Sequence, residues 1–167
     1  MANSDNFALI NVGRTGTGKT TVSKKLINSL PSGNNLIIYD INREYTEYYK
    51  HPFEPDINIF MTDIKNVTNS FILIEEASIF FQNRETNKEL KEMLVLKRHN
   101  NNIIVLNFHS FAMIPDYLFH LVNYITIMKT NDSEKKVKTK FAHDELLHTM
   151  HVINSSKDPY AKMTVKL

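Results

Sequence analysis

Apolar residues along this chain fall in short uninterrupted runs separated by longer amphipathic stretches. Strands buried on both faces need such runs, and the intervening stretches carry the period of helices packed on one side. The pattern therefore predicts an α/β domain with a mostly parallel sheet. Phe7–Val12 (FALINV) reads as the first strand, Leu36–Tyr39 as the second and Phe71–Ile74 (FILI) as the third. Ile103–Asn107 (IIVLN) and Asn123–Met128 read as the fourth and fifth. Thr20–Leu30 spaces Val22, Leu26, Ile27 and Leu30 as a helix, stopped by Pro31 and Gly33. Glu85–His99 reads as a second helix with Leu90, Met93, Leu94 and one of Val95 or Leu96 inward. Thr86 and Glu89 stand at capping-box spacing at its start, and Asn100–Asn102 at its end can adopt the left-handed backbone of a helix stop.

After the fifth strand the pattern changes. Tyr124–Thr130 and Lys135–Phe141 predict a hairpin around the polar turn Asn131-Asp132-Ser133-Glu134. Asp144–Ile153 predicts a short helix, and the alternation in Tyr160–Leu167 predicts a closing edge strand. With no repeat, low-complexity tract or long linker, a single domain over residues 1–167 is expected, its core at about 7–130 and a C-terminal extension at about 131–167.

Composition narrows the function by exclusion. The absence of cysteine removes disulfide scaffolds, thiolate metal sites, iron–sulfur clusters and cysteine nucleophiles. A net charge of +2 gives no argument for nucleic acid by itself. Tyr117–Met128, an apolar stretch of the second half without acids or strong bases, is too short and polar to span a bilayer. The opening MANSDNF has no signal-peptide pattern. A cytoplasmic location without membrane insertion is the expectation.

Glycine is concentrated where it can do chemistry. Only Gly13, Gly16, Gly18 and Gly33 are present. Gly13-Arg14-Thr15-Gly16-Thr17-Gly18-Lys19-Thr20 matches G-x-x-x-x-G-K-[ST], the Walker A motif, directly after an apolar strand and before a helix. Such a loop turns successive backbone N–H groups, from Gly13 to Thr21, around phosphates at a helix N-terminus. Lys19 would reach the β- and γ-phosphates, and the Thr20 hydroxyl would ligate Mg²⁺. A chance match in a chain of this length is below roughly one in a hundred at average glycine usage.

With no glycine after Gly33, the D-x-x-G switch of GTPases and the glycine-containing signature of ABC-type ATPases are excluded. Lys129-Thr130-Asn131-Asp132 is not an N-K-x-D base reader. Small-molecule kinases usually bring several lid arginines, whereas this chain has three beyond the loop: Arg43, Arg84 and Arg98. The third strand ends in Glu75-Glu76. Acids at that strand tip lie beside the phosphates, Glu75 placed for the Mg²⁺ shell and Glu76 for orienting and deprotonating a water.

The second strand runs into Asp40-Ile41-Asn42-Arg43-Glu44-Tyr45, and D-x-x-x-E-[YF] there resembles the HerA/FtsK superfamily of DNA-translocating ATPases, which includes viral genome-packaging and phage-assembly ATPases. The resemblance continues through Glu75-Glu76, Lys97-Arg98-His99, the strand Ile103 to Ser110, Ile114-Pro115 and Asn123–Ile127, covering about residues 7–130. It implies a P-loop NTPase three-layer sandwich of the additional-strand class, with sheet order 5-1-4-3-2 and the C-terminal hairpin and edge strand appended. It also implies a hexameric or pentameric homo-oligomer, ATP and Mg²⁺ at subunit interfaces, and double-stranded DNA as the partner. Arg98 would be an arginine finger acting on the neighbour's nucleotide, with Arg84 as second candidate. The chain departs from the family pattern twice. Glu75 stands where Asp is usual, and His109 where the sensor Gln is usual, so imidazole protonation should make activity pH-dependent near about pH 6–7.

Weaker signals remain. Lys136, Lys138 and Lys140, with Lys135 beside them, would line one face of the predicted hairpin arm, either protecting an edge strand or touching a nucleic-acid backbone. His143, His148 and His151 have no convincing carboxylate partner for a metal and read as solvated. Tyr48, Tyr49 and Phe53 read as core aromatics, with base stacking as the alternative. The resulting expectation is a minimal ATPase motor working on DNA, in host cytoplasm or a virion if viral, with a viral or membrane protein as a further partner. A filament-assembly or secretion ATPase, a small-molecule kinase and a non-hydrolysing particle component are the rivals.

Overall fold

The structure, a computed structural model, describes residues 6–31, 35–48, 54–82, 84–140 and 144–167. Tyr49, Phe53 and His143 lie outside the described residues. Six strands form one sheet: β1 (Ala8–Val12), β2 (Asn35–Tyr39), β3 (Ser70–Ile74), β4 (Ile103–Phe108), β5 (Tyr124–Met128) and β6 (Lys162–Lys166). Their order is β2-β3-β4-β1-β5-β6. Read from β5 this is the 5-1-4-3-2 order of the sequence expectation, with β6 added outside. Strands β1 to β5 are parallel, and β6 returns antiparallel on β5, pairing Lys162 with Met128 and Thr164 with Thr126.

Among the described residues five α-helices cover the sheet: α1 (Lys19–Asn28), α2 (Ile57–Ile64), α3 (Arg84–Leu96), α4 (Glu134–Lys140) and α5 (Asp144–Ser155). Alternation along each strand sends side chains to opposite faces. Leu9, Phe71, Leu73 and Val105 pack with Ile27 of α1 on one face. Ile10, Ile72, Ile104 and Leu106 pack with Phe60, Leu90, Val137 and Met150 of the other four helices on the opposite face. The result is three layers, with α1 the one α-helix on its side among the described residues. On the crowded side Tyr39 meets Phe60 and Phe80 edge-on at centroid distances of 5.0 and 4.9 Å, which fixes α2 over the exit of β2.

Four expectations are corrected. The segment expected as the second arm of a hairpin is the helix α4. Ser133 opens it, its Oγ accepting from the Lys136 N–H at 3.3 Å and its carbonyl from Val137 at 3.1 Å. Glu and Lys are strong helix formers, and burial of Val137 decides the matter because a helix brings that side chain onto the core. Lys135, Lys136 and Lys138 are consequently spread around a helix instead of lining one strand face. Thr86 is not a cap. The helix α3 begins two residues earlier, and the Thr86 hydroxyl donates to the Phe80 carbonyl at 2.8 Å. In its last turn Val95 and Leu96 are both exposed, so the inward face ends at Leu94 and neither joins it. The helix α2 is an addition to the expected elements, although Asp56 marks its start by accepting from the backbone N–H groups of Asn58 and Ile59. The Asn100–Asn102 stop is present, with Asn101 in the left-handed conformation at φ 56°.

Candidate active site

The glycine-rich loop joins β1 to α1 at the C-terminal ends of the parallel strands. It is tied to the sheet on both sides: the Gly13 N–H donates to Phe108 O at 3.1 Å and the Arg14 N–H to Lys129 O at 2.9 Å. A Cβ at Gly13 would lie 2.7 Å from Met128 Cβ and 2.8 Å from Thr17 Oγ1, so only glycine fits. Gly16 and Gly18 have φ of 79° and 98°, and the Thr17 hydroxyl closes the loop onto Arg14 O at 2.8 Å. Lys19 is buried, its ammonium donating to Gly13 O at 2.6 Å and Arg14 O at 3.2 Å. Burial lowers its pKa, opposed by the nearby carboxylates of Glu75, Glu76 and Glu44. Thr15, Gly16, Thr20 and Thr21 form one wall of a cleft of about 510 Å³, and Glu44, Glu75, Glu76 and His109 line it as well.

The sheet face under α1 turns polar at its end. Glu75, Asn107, Asn11, Thr126 and Thr164 follow one another across neighbouring strands where Leu73, Val105 and Leu9 stand two residues earlier. Asn11 donates to Asn107 Oδ1 at 2.8 Å, and Asn107 donates to Glu75 Oε2 at 2.5 Å. The Tyr45 hydroxyl donates to the same Glu75 oxygen at 2.9 Å. Glu75 is buried, and desolvation raises its pKa against these two hydrogen bonds, which favour the charged form. Burial likewise pushes the Tyr45 phenol up, the Glu75 charge adding to it.

Asp40 explains how Tyr45 reaches that position. It is fully buried at the exit of β2, and its two carboxylate oxygens accept from the Glu44 N–H at 2.9 Å and the Tyr45 N–H at 2.8 Å. The turn it closes, with Arg43 at φ 56°, sends Tyr45 inward to Glu75. It also sends the Glu44 carboxylate to the Thr20 hydroxyl, which donates to it at 2.8 Å. Glu44, Tyr45, Asn107 and Asn11 are thus site residues that the sequence reading did not nominate. Asp40, Glu44 and Tyr45 carried a signal in their motif, and Asn107 lay in the resembling strand, whereas Asn11 carried none.

Glu76 begins the turn after β3 in the left-handed conformation, φ 56° and ψ 48°, unusual for a non-glycine residue. That turn aims its carboxylate at His109, whose Nε2 is hydrogen-bonded to Glu76 Oε2, while Ser78 Oγ donates to Oε1 at 3.0 Å. The other ring nitrogen, Nδ1, lies 3.3 Å from Lys19 Nζ. An ammonium only donates, so Nδ1 must accept and the proton belongs on Nε2, facing Glu76.

Six of the nine proposed loop residues (Thr15, Gly16, Gly18, Lys19, Thr20 and Thr21), both strand-end acids and His109 therefore converge on the cleft, while Arg84 and Arg98 do not. Arg98 is exposed just past α3, at the end of the sheet where β4 begins, opposite the loop. Arg84 is exposed at the start of α3, on the end where β3 delivers Glu75 and Glu76. Lys97 is structural: its buried ammonium donates to Leu121 O at 2.7 Å and Leu94 O at 3.2 Å, and burial lowers its pKa. Tyr48 is half-buried with its hydroxyl on Asn28 Oδ1 at 3.1 Å. His151 bonds Glu134 at 2.7 Å. Among the described residues no three His, Asp or Glu side chains are grouped to hold a metal by themselves, and no helix is long and apolar enough to cross a membrane.

A P-loop between β1 and α1, acids at the tip of β3 and this strand order define the class: a P-loop ATPase. Residues 9–162 match the family model described as Helicase HerA, central domain, and the chain belongs to that family. Solved structures agree on the fold. The DNA-packaging ATPase B204 of Sulfolobus turreted icosahedral virus aligns over 96% of this chain and 92% of its own, with TM-score 0.75 and 15% identity. B204 of Sulfolobus turreted icosahedral virus 2 in complex with ATP-γS gives TM-score 0.77 at the same coverage and identity. The KaiC-like protein PH0186 of Pyrococcus horikoshii OT3 is more distant, at TM-score 0.53 and 14% identity over 77% of this chain and 74% of that one. No curated protein matched the chain.

Proposed function

We propose that the chain hydrolyses ATP with Mg²⁺ and couples turnover to movement of double-stranded DNA, as an oligomeric ring motor of the genome-packaging kind. The observation that carries the reading is the arrangement of Glu76, His109 and Lys19 around one cleft, a base, an imidazole and a phosphate-binding cation in hydrogen-bonded sequence. Membership of the HerA central-domain family and the B204-like fold support the coupling to DNA.

In this reading the loop N–H groups from Gly13 to Thr21 hold the phosphates, and Lys19 leaves the Gly13 and Arg14 carbonyls to pair with the β- and γ-oxygens. The donors suit Mg²⁺, which takes hard oxygens and few protein ligands beside phosphate: the Thr20 hydroxyl, and Glu75, whose hydrogen bonds from Tyr45 and Asn107 both fall on Oε2 and leave Oε1 for the ion's shell. The bound ion would offset charge on the bridging phosphate oxygens. Glu76 takes the proton of the attacking water as its oxygen bonds to the γ-phosphorus and ADP leaves. His109 fixes the Glu76 carboxylate and reports on the γ-phosphate. A neighbouring subunit supplies Arg98 or Arg84 to the developing phosphoryl charge.

The test is ATP turnover with Mg²⁺ by the unaltered chain, Lys19→Ala and Glu76→Gln. Lys19→Ala should lose binding and turnover, and Glu76→Gln should bind ATP yet turn over at least about 100-fold more slowly, the range of a lost general base. Turnover that survives both substitutions would overturn the assignment.

A further inference from the structure

The cleft has two chemically different ends. Glu44, Glu75, Glu76 and His109 come from the β2, β3 and β4 side of the loop. On the other side, where β5 and β6 lie, the cleft is lined by Tyr160. Because β6 runs antiparallel to β5 and Lys162 pairs with Met128, the residues just before β6 return to the end of the sheet that carries the loop. Tyr160 Cδ1 comes to 3.7 Å from the position a Cβ would take on Gly18.

The tyrosine is both open and held. It is 59% exposed, a large aromatic face left to solvent at the mouth of a polar cleft. Its backbone is fixed by Asp158, whose Oδ1 accepts from the Tyr160 N–H at 2.9 Å and whose carbonyl accepts from Ala161 at 3.2 Å. Ser156 holds that turn in place by accepting from Asp158 through Oγ at 3.1 Å and from the Lys129 ammonium through its carbonyl. Lys129 is the residue whose own carbonyl anchors the Arg14 N–H, so the turn carrying Tyr160 and the phosphate loop share one support.

We infer that Tyr160 is the platform on which the nucleobase of the bound nucleotide stacks. The inference rests on the P-loop reading above and deepens it. A triphosphate whose terminal phosphate faces Glu76 and His109 must extend its sugar and base away from those carboxylates, along the loop past Gly18 and Thr21. An exposed ring on a braced turn stands on that side. Stacking on a phenol face needs no donor or acceptor pattern on the base, so this contact favours adenine and guanine alike.

Calorimetric titration in Mg²⁺ with ATP, GTP and inorganic tripolyphosphate tests this on the unaltered chain, Tyr160→Ala and Tyr160→Phe. Tyr160→Ala should weaken ATP and GTP by about tenfold, the loss of one base stack, and leave tripolyphosphate unchanged. Tyr160→Phe, which keeps the ring, should restore most of the lost affinity. ATP affinity unaltered in Tyr160→Ala, or tripolyphosphate weakened as much as ATP, overturns the platform while leaving the P-loop reading intact. If the unaltered chain binds neither ATP nor tripolyphosphate, the P-loop reading fails and this inference fails with it.

Discussion

The Lys19 ammonium lies 3.3 Å from Nδ1 of His109, and this contact ties the phosphate-binding cation to the sensor position of the site. In this tautomer the imidazole accepts through Nδ1 and donates through Nε2, so it holds Glu76 while facing a cation. His109→Gln keeps an amide able to accept and donate and should retain most ATPase activity, whereas His109→Ala removes both contacts and should slow turnover by about tenfold or more. Turnover in His109→Ala equal to that of the unaltered chain would contradict this role.

Glu75 gives a stability prediction with a sign. Its folded pKa is raised above 4.5 by burial, so in the window above 4.5 the folded state holds more protons than the unfolded one. Stability falls as pH rises through that window, and the cost is fully present once the folded carboxyl is ionised. Glu75→Gln removes the charge but keeps an oxygen for Tyr45 and Asn107. It should raise Tm at neutral pH by about 2–4 °C, equivalent to about 1 kcal/mol for a chain of this size. The gain should vanish below pH 4.5 and turnover should be lost. Thermal melts across pH check it, and a variant less stable than the parent at neutral pH would contradict it.

Asp40 should matter through the turn it closes. Asp40→Ala leaves the Glu44 and Tyr45 N–H groups without these acceptors, a cost of about 2–4 kcal/mol for two charge-assisted bonds. Chemical denaturation should show that loss, and Mg²⁺-dependent turnover should fall with it as Tyr45 and Glu44 lose their placement.

Gly13→Ala should be worse for ligand binding than its single methyl suggests. The new Cβ meets Met128 and Thr17 side-chain atoms at 2.7 and 2.8 Å, so the loop must shift from β5. ATP affinity should drop more than tenfold, with a lowered Tm as the accompanying sign.

What could be read directly in the sequence was local. The P-loop is eight consecutive residues, and the five parallel strands are apolar runs whose order followed from a family resemblance. The residues that escaped are joined across distance: Thr20 to Glu44, Tyr45 to Glu75, and Tyr160 to the loop by way of an antiparallel return. Lys-Val-Lys-Thr-Lys-Phe over 136–141 alternates like a strand, but six residues are too few for the period to decide. The Ser133 cap and the burial of Val137 made α4 a helix. Thr86 matched a capping box, yet the contact it makes is with Phe80, whose position depends on the turn after β3.

The most direct test of the motor reading is ATP turnover per chain measured at several protein concentrations, with and without double-stranded DNA, for the unaltered chain, Lys19→Ala, Arg84→Ala and Arg98→Ala. A shared site predicts turnover that rises with concentration and with DNA. It also predicts loss in Lys19→Ala and in one of the two arginine variants, although neither arginine lines its own chain's cleft. Turnover that is independent of concentration and DNA, and untouched by both arginine substitutions, would contradict an oligomeric DNA motor and leave an ATPase that works alone.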